Sequence, residues 1–509
     1  GLIAFALIVV LMTLLYRLPG FLACIALAGQ VAATLAFVSG YFPVFESFTL
    51  TLPGIAGIIL AIGMGVDANV ITAERIKEEL NNGKSLDGAL KSGFARGLTP
   101  IIDGNVTIVI VAIVLMGAFG PSDGLFAKAL HFVFFAFGPS TAGTIYAFGY
   151  TLLTGVLLNF VFGVFATRVM IRGAASIKAL RNPWLYGAVK PGKEVKEKKP
   201  IDFVGLRKRF LTISTCLMAA IILCAAVFGV RLDTEFTGGA MLTLSYQGEI
   251  STSEVQKTAS TALENNGLTL QTGENVATGE QTLKISMPGN ETVTTDQVEN
   301  LLTSLNEQYP DNAFAQLSLS NVSAAMGTKF LQKSLVAVVF SLLLILLYIG
   351  FRFKKIGGLT GGLMAVLALL NDLMVVFGTF VLLCTPLDGN FIAAMLTILG
   401  YSINDTVVVY DRIRENRALM GKKTPFEELV NHSVNQSARR TIITTVTTVM
   451  ALGVMCVVSK LYGLDSIFTF AFPLMMGMLS GVYTSLCVST SAWVLWNDRK
   501  SKKAETKKV

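Results

Sequence analysis

The sequence is poor in charge. Of its 509 residues, 15% are Asp, Glu, Lys or Arg and 53% are hydrophobic, whereas soluble proteins carry about 25% charged residues. One soluble core cannot absorb that deficit at this length, because such cores stop growing near about 250–300 residues. The composition therefore argues against a soluble multidomain enzyme, and it excludes an intrinsically disordered chain.

The sequence also lacks the usual signatures of metal and nucleotide chemistry. Its two histidines, His131 and His432, are far apart, and no GxxxxGK(S/T), GxSxG or HExxH motif occurs. All six cysteines lie inside apolar runs without CxxC spacing, which is typical of small buried side chains. We expect no metal site, no bound cofactor and no ATPase activity of its own, and so no enzyme in the usual sense. The cysteines are Cys24, Cys216, Cys224, Cys384, Cys456 and Cys487.

Long apolar runs fill most of the chain. A bilayer core about 30 Å thick takes about 20 apolar residues of helix, and eleven runs approach or exceed that length. We therefore expect a polytopic α-helical membrane protein with five spans in one half and six in the other. The expected parts are a first half, a basic linker, the first span of the second half, an external domain, a five-span bundle and a basic tail: 1–170, 171–209, 210–230, 231–325, 329–497 and 498–509.

Lysine and arginine predict how the chain is oriented. Thirty-four of the 41 basic residues fall in loops on one side, and basic loops face the cytoplasm. Segment 231–325 is then external, with 12 acidic and 3 basic residues. The net charge of +8 is thus an orientation signal of a multi-pass protein of the cytoplasmic membrane, and nucleic-acid binding has no support. The basic loops are 17, 73–98, 168–209, 352–355, 412–440 and 497–509.

The external segment has the pattern of a small α+β domain. Alternating side chains predict a strand at 241–246, and further strands are expected near 282–287 and 313–319. The SxxE pattern of Ser251–Glu254 indicates a helix start, and a second helix is expected near 294–308. We predict one external α+β domain of ferredoxin-like type. With few aromatic residues, it lacks the composition of an apolar small-molecule pocket.

The two halves are a repeat. GMGVDANVITAERIKEE (63–79) aligns without a gap with GYSINDTVVVYDRIREN (400–416), and DGNVTIV (103–109) aligns with ITTVTTV (443–449). Both halves keep the same orientation, so the repeat is parallel, and transporters built from repeats have their sites near midplane where the repeats meet. By the same comparison, the first half lacks one span and one external domain that the second half has.

Each half carries a carboxylate within its repeated span. Asp67 aligns with Asn404, while Asp405 is the next residue and Asn69 lies near Asp67. An intramembrane charge costs roughly 2.5–3.5 kcal/mol on insertion scales, so duplicated acids favour function. The alternative is an acid near a helix end that reaches the headgroups. Asp67 and Asp405 lie about 10 Å deeper than the acids beside Arg75 and Arg412, which weakens that alternative.

Other polar residues lie at a similar depth. Each of the threonines could simply bond its own helix, but as a set they suggest the wall of a polar crevice. Arg440 could be an ordinary cytoplasmic anchor, or it could hold a carboxylate ionised. The residues concerned are Asp103, Asn105, Asn371, Asp372, Thr441, Thr444, Thr445, Thr447 and Thr448.

At these positions the sequence resembles the SecD/SecF family. LTLPGIAGIILAIGMGVDANVITAERIKEE (50–79) is similar to a SecD span signature, GYSINDTVVVYDRIREN and SARRTIITTVTTVMALG (437–453) are similar to SecF signatures, and EFTGG (235–239) resembles a SecF external motif. The similarity covers nearly all of 1–500. It implies a fused SecD–SecF arrangement of the resistance–nodulation–division superfamily, without the first SecD span and the large external domain that is thought to grip the substrate.

The resemblance also implies a function and its residues. The family uses the proton-motive force to help the SecYEG–SecA channel of bacteria complete protein export, with protons as the coupling ion. Its essential intramembrane acids fall on Asp67 and Asp405 and its essential basic residue on Arg440, while Asp103, Asn105 and Asp372 match supporting positions. The implied partners are SecYEG, SecA, the translocating preprotein, YajC-like and insertase subunits, and membrane lipid.

Two other functions are alternatives to protein export. One is a proton-coupled efflux pump of the same superfamily, for small molecules or lipids. Such a pump should have large external loops with aromatic-lined pockets in both halves, and the external segment of the second half does not have this composition. A structural scaffold would leave the duplicated acids unexplained. The sequence therefore favours a proton-driven accessory subunit of protein export.

Overall fold

The structure is a computed structural model. It describes residues 2–39, 41, 52–138, 143–189, 200–248, 250–263, 267–274, 281–288, 293–421, 423–462 and 464–506. The helices of the first half are α1 (Leu2–Val38), α2 (Leu52–Asn81), α3 (Leu86–Phe119), α4 (Leu125–Ala129), α5 (His131–Phe134), α6 (Gly143–Asn159) and α7 (Thr167–Ser176). Those of the second half are α8 (Arg207–Phe228), α9 (Thr234–Thr237), α10 (Thr252–Ala262), α11 (Thr295–Gln308), α12 (Ala324–Arg352), α13 (Gly358–Leu382), α14 (Gly389–Met420), α15 (Phe426–Leu461), α16 (Asp465–Tyr483) and α17 (Thr490–Thr506).

Ten helices in the described part of the chain are long and apolar enough to cross a membrane. Two of them are composite, because the π-helical turns Phe160–Ala166 and Thr484–Ser489 join α6 to α7 and α16 to α17. The sequence predicted eleven spans, so the helix count is one lower. The difference lies in α1, where the sequence predicted two spans.

The helix α1 is broken at Arg17. That residue has φ 54° and ψ −124°, which no helix contains. A Cβ placed on Gly20 would lie 2.1 Å from the carbonyl oxygen of Met12. In a straight helix, residues eight apart would be separated by about 12 Å along the axis. The chain therefore turns back at Arg17, and the segments before and after it pack against each other. The predicted division falls at this turn, but the first segment is short for a span.

The halves pack across each other at equivalent places. In the first half α2 packs on α3 and α6, and it also contacts α15; in the second half α14 packs on α16 and also contacts α3. A Cβ on Gly63 would lie 2.8 Å from Thr448 Oγ1, and one on Gly400 would lie 3.4 Å from the Cα of Ile108. In the repeat, Gly63 aligns with Gly400, and Ile108 aligns with Thr448. The interface between the halves therefore follows the internal repeat.

The external domain has the predicted ferredoxin-like fold. Its strands are β1 (Gly239–Tyr246), β2 (Thr269–Glu274), β3 (Gln281–Pro288) and β4 (Ala315–Val322). They form one antiparallel sheet in the order β2-β3-β1-β4, and with α10 and α11 they give the β-α-β-β-α-β order of this fold. The sequence did not predict β2, because the segment TLQTGE has few of the β-branched and aromatic residues that mark strands.

Two of the predicted basic loops are mostly helix. Residues 73–81 belong to α2 and residues 86–98 to α3, where Ser85 caps the first turn by accepting from the Gly88 N–H. Likewise α14 continues to Met420 and α15 begins at Phe426. Glu, Lys and Arg are good helix formers, so these helices need not end at the membrane surface. The end of the bundle that these extensions form is called the basic end below.

Candidate functional site

Two carboxylates and one guanidinium meet between the halves. Arg440 of α15 forms an ion pair through Nη2 with Asp67 Oδ1 of α2, and its Nη1 lies 3.8 Å from Asp405 Oδ1 of α14. All three residues are buried, with 5–6% of their surface exposed. The structure therefore brings together the two acids and the arginine that the family resemblance implies to be essential.

An amide joins the same group. Asn404 donates from Nδ2 to Asp67 Oδ2 at 2.9 Å, so each oxygen of Asp67 has a partner from the other half. On the opposite side of Asn404 lies Gly104 of α3, where a Cβ would stand only 1.7 Å from Asn404 Oδ1. Any larger residue at 104 would therefore displace the Asn404 side chain. The sequence analysis missed this residue, although a glycine between Asp103 and Asn105 in mid-span was a signal.

The charges of this group do not balance. One guanidinium faces two carboxyl groups, and the Nε and Nη1 atoms of Arg440 are buried without a hydrogen-bond partner in the described structure. A single arginine cannot neutralise both acids at once. The central group therefore places one positive charge beside two acidic side chains from the two halves.

The threonine face of α15 is buried beside this group but bonds largely to its own helix. Thr444 donates to the carbonyl of Thr441, and Thr448 donates to that of Thr444. Thr441 Oγ1 is buried without a partner in the described part of the chain, and Thr445 is also buried. Thr444 therefore bonds its own helix and makes no hydrogen bond to the acids among the described residues. Of the threonines on this face, Thr441 has a buried hydroxyl without a partner there.

Asp372 occupies a separate site within the second half. It is fully buried and accepts hydrogen bonds from Ser402 Oγ at 2.6 Å, Ser480 Oγ at 2.6 Å and Thr484 Oγ1 at 2.9 and 3.0 Å. Ser402 lies on α14 three residues before Asp405. The three hydroxyl residues were missed, because isolated Ser and Thr in apolar helices follow no pattern in sequence.

The remaining sequence candidates lie apart from Arg440. Asp103 Oδ1 accepts from Arg352 Nε at 2.8 Å and from Tyr348 OH at 3.1 Å, so it ties α3 to α12 across the halves. Asn69 donates to the carbonyl of Gly65 in its own helix at 2.8 Å. Asn105 is buried on α3, and no hydrogen bond among the described residues links it to the acids. We find Asp103, Asn69 and Asn105 outside the central group.

A family model covers most of this architecture. The model described as protein export membrane protein SecD/SecF, C-terminal, matches residues 2–147 and 301–499. The matched ranges include all helices that contribute to the central group, α2, α3, α14 and α15. They omit most of the external domain.

Full-length relatives extend the similarity across that domain. The protein translocase subunit SecDF of Bacillus subtilis (strain 168) is 31% identical over 515 residues, covering 99% of this chain and 64% of the relative. The protein translocase subunit SecF of Alicyclobacillus acidocaldarius is 31% identical over 60% of this chain and 96% of the relative. The SecDF relative thus matches nearly the whole chain, and the SecF relative matches 60% of it.

A solved structure has the same fold. The crystal structure of SecDF from Thermus thermophilus, described as a translocon-associated membrane protein, aligns with a TM-score of 0.76 at 28% identity. The alignment covers 98% of this chain and 61% of that one. The chain therefore spans less than two thirds of the length of the SecDF proteins that it matches.

Proposed function

Because the chain belongs to the SecD/SecF family of protein export membrane proteins, we propose that it acts as a proton-driven accessory subunit of Sec-dependent protein export. It is a multi-pass membrane protein, and its relatives are named protein translocase subunits. The observation that carries the proposal is the contact of Arg440 with both Asp67 and Asp405. Similarity to export proteins throughout the chain does not favour an efflux pump.

The relay works by changing which carboxyl group Arg440 stabilises. Arg440 pairs with Asp67 in this structure and lies 3.8 Å from Asp405 at the nearest atoms. A buried carboxyl group is stabilised as the anion by a guanidinium and as the neutral acid without one. When Arg440 moves toward Asp405, that acid releases its proton and Asp67 becomes the group that takes one up.

The energy available is sufficient for a conformational step. Each proton that crosses a potential of about 100 mV yields about 2.3 kcal/mol. That energy biases a two-state equilibrium by nearly fiftyfold, on the order of the shift that allosteric ligands produce. The α14 helix, which carries Asp405 and begins beside the external domain, would transmit the movement.

The proposed partners follow from the family. They are the SecYEG channel, the SecA motor and the emerging preprotein, with YajC-like and insertase subunits as further neighbours in the bacterial cytoplasmic membrane. SecA would supply ATP hydrolysis, since we propose that this chain uses protons as its coupling ion and has no cofactor of its own.

The test is gradient-dependent export in membrane vesicles that contain the complete gene product. We expect Asp405→Asn and Asp67→Asn to assemble normally but to lose stimulation by a proton gradient, because an amide cannot release a proton. Arg440→Lys should be impaired as well, since it keeps the charge but loses the planar fork. Asp87→Asn is the matched control, because Asp87 is exposed at the basic end. Retained stimulation in both Asp67→Asn and Asp405→Asn would refute the relay.

A further inference from the structure

The halves are tied together at the basic end by ion pairs that repeat the internal symmetry. Arg75 of α2 pairs through Nη2 with Glu415 Oε2 of α14 at 3.0 Å, and Arg412 of α14 pairs through Nη2 with Glu78 Oε1 of α2 at 2.7 Å. Arg75 aligns with Arg412, and Glu78 aligns with Glu415, 337 residues apart. The two cross-half pairs are therefore the same contact made twice. We call these four residues the quartet.

Each arginine of the quartet also pairs within its own helix. Arg75 Nη1 lies 3.1 Å from Glu78 Oε2, and Arg412 Nη1 lies 2.7 Å from Glu415 Oε2. If the halves move apart, the cross-half pairs break while these pairs persist. No charge is then left without a partner, because Arg75 keeps Glu78 and the buried Arg412 keeps Glu415. The quartet can therefore open without stranding a buried ion.

A cavity lies beside three residues of the quartet, Arg75, Glu78 and Arg412. Its volume is about 60 Å³, enough for a few waters since one needs about 10–15 Å³. Arg75, Glu78 and Arg412 line it at the basic end, and Arg440 lines it at the other. The buried Nε and Nη1 atoms of Arg440 have no hydrogen-bond partner in the described structure. The cavity thus extends from the quartet to the unsatisfied arginine of the central group.

Both halves contribute equivalent residues to the wall of this cavity. Ile71 of α2 and Val408 of α14 are aligned residues, and Pro100 of α3 aligns with Arg440 of α15. The cavity therefore lies on the axis that relates the two halves. A relative movement of the halves would change its width more directly than a movement within either half.

We propose that Arg75, Glu78, Arg412 and Glu415 form a gate that controls the access of water and protons from the cytoplasm to Arg440. The proposal rests on the proposed proton relay and on the cytoplasmic position of the basic end. The four residues are positioning residues at the cytoplasmic end of the proton path, since none of them touches Asp67 or Asp405. Arg96 supports the closed state by pairing with Glu415.

The gate can be tested by cysteine accessibility at Ser437, a buried residue that lines the same cavity. The complete gene product, with its native cysteines replaced, carries Ser437→Cys and is treated with a membrane-impermeant thiol reagent from the cytoplasmic side. We expect slow labelling with the quartet intact. Glu78→Gln with Glu415→Gln should accelerate it by about tenfold, because both cross-half pairs are lost and the two arginines repel.

The matched control is Arg414→Gln. This substitution removes an ion pair at the same end of α14, between Arg414 and Asp411, but that pair stays within one half. It should leave the labelling rate unchanged. An unchanged rate in the double glutamine variant would overturn the gate, and so would an equal acceleration in Arg414→Gln, which would indicate general loosening.

A second variant replaces one cross-half ion pair with a covalent link. Glu78→Cys with Arg412→Cys, joined by a bifunctional thiol reagent, should hold the gate closed and abolish gradient-stimulated export until the link is cleaved. Full export by the linked protein would overturn the gate.

The gate and the relay can fail separately. If Asp67→Asn and Asp405→Asn keep gradient stimulation while labelling of Ser437→Cys responds as expected, the relay fails and the quartet remains the barrier to the cavity.

Discussion

The backbone N–H of Gly389 donates a hydrogen bond to Glu235 Oε2 at 2.8 Å. Glu235 lies in the segment that leads into the external domain, and Gly389 is the first residue of α14, the helix that carries Asp405. Asp388 caps the same helix by accepting from the Phe391 N–H at 3.1 Å. The external domain is thus attached to the start of the helix on which the proposed relay depends.

This attachment concentrates acidic groups. Burial raises the pKa of Glu235, with Asp233 adding to the shift and Lys284, 3.8 Å away, opposing it. Burial, Glu235 and Asp233 together raise the pKa of Asp388 to about 7. A raised carboxyl pKa means that the folded state binds more protons than the unfolded one, so the stabilisation is present at low pH and is lost as pH rises.

We therefore predict that the attachment weakens as external pH rises through about 7, where Asp388 ionises beside Glu235 and Asp233. The measurement is the hydrogen-exchange protection factor of the Gly389 and Phe391 amides as a function of pH. Asp388→Asn should flatten the pH dependence while keeping the helix cap, because Asn is as good a cap as Asp. An identical pH dependence in that variant would rule out Asp388 as its cause.

Gly104→Ala should disturb the central group without touching a charge. The added Cβ would lie 1.7 Å from Asn404 Oδ1, so the Asn404 side chain must move, and its hydrogen bond to Asp67 is disturbed. Overpacking of this kind costs about 1–3 kcal/mol. We expect a lower unfolding temperature in detergent and reduced gradient-dependent export.

The control for that change is Gly453→Ala on α15. A Cβ at Gly453 meets no atom within 4 Å among the described residues, and alanine is the better helix former. This variant should be neutral or slightly stabilised. Equal losses in the two variants would mean that glycine at 104 has no special role.

Asn404→Ala removes the only amide donor to Asp67 Oδ2 in the described structure. A buried acceptor left without its partner costs about 1–3 kcal/mol. Asn416→Ala is the matched control on the same helix, since Asn416 Nδ2 donates to the neutral oxygens of Ser433 and Gln436. We expect the larger loss of thermal stability at Asn404, and the reverse order would show that the bond to Asp67 contributes little.

The pair of Asp103 and Arg352 should show coupling in a double-mutant cycle. Arg352→Gln leaves the buried carboxylate of Asp103 without a cation, and adding Asp103→Asn removes that uncompensated charge. Because Arg352 is one-third exposed, water screens the pair and we expect a coupling of about 1 kcal/mol in unfolding free energy. Additive losses would indicate that Tyr348 alone holds Asp103.

The sequence by itself placed the acids of the central group, for a physical reason. A parallel duplication relates its two halves by rotation, so residues at aligned positions near the axis come close to each other. Asp67 aligns with Asn404, and these two residues are hydrogen-bonded. The period of apolar residues and the asymmetry of basic loops likewise sufficed for the membrane fold, and alternation of side chains sufficed for most of the external sheet.

Only the tertiary structure decided which partner each polar group takes. Nothing in the sequence distinguishes Asp372, which lies within a cage of three hydroxyl groups, from Asp103, which pairs with Arg352 in the other half. Those contacts depend on how helices cross and on the direction in which each side chain leaves its helix. The same holds for the quartet, because two arginines near helix ends look alike as anchors until the helices that carry them are packed side by side.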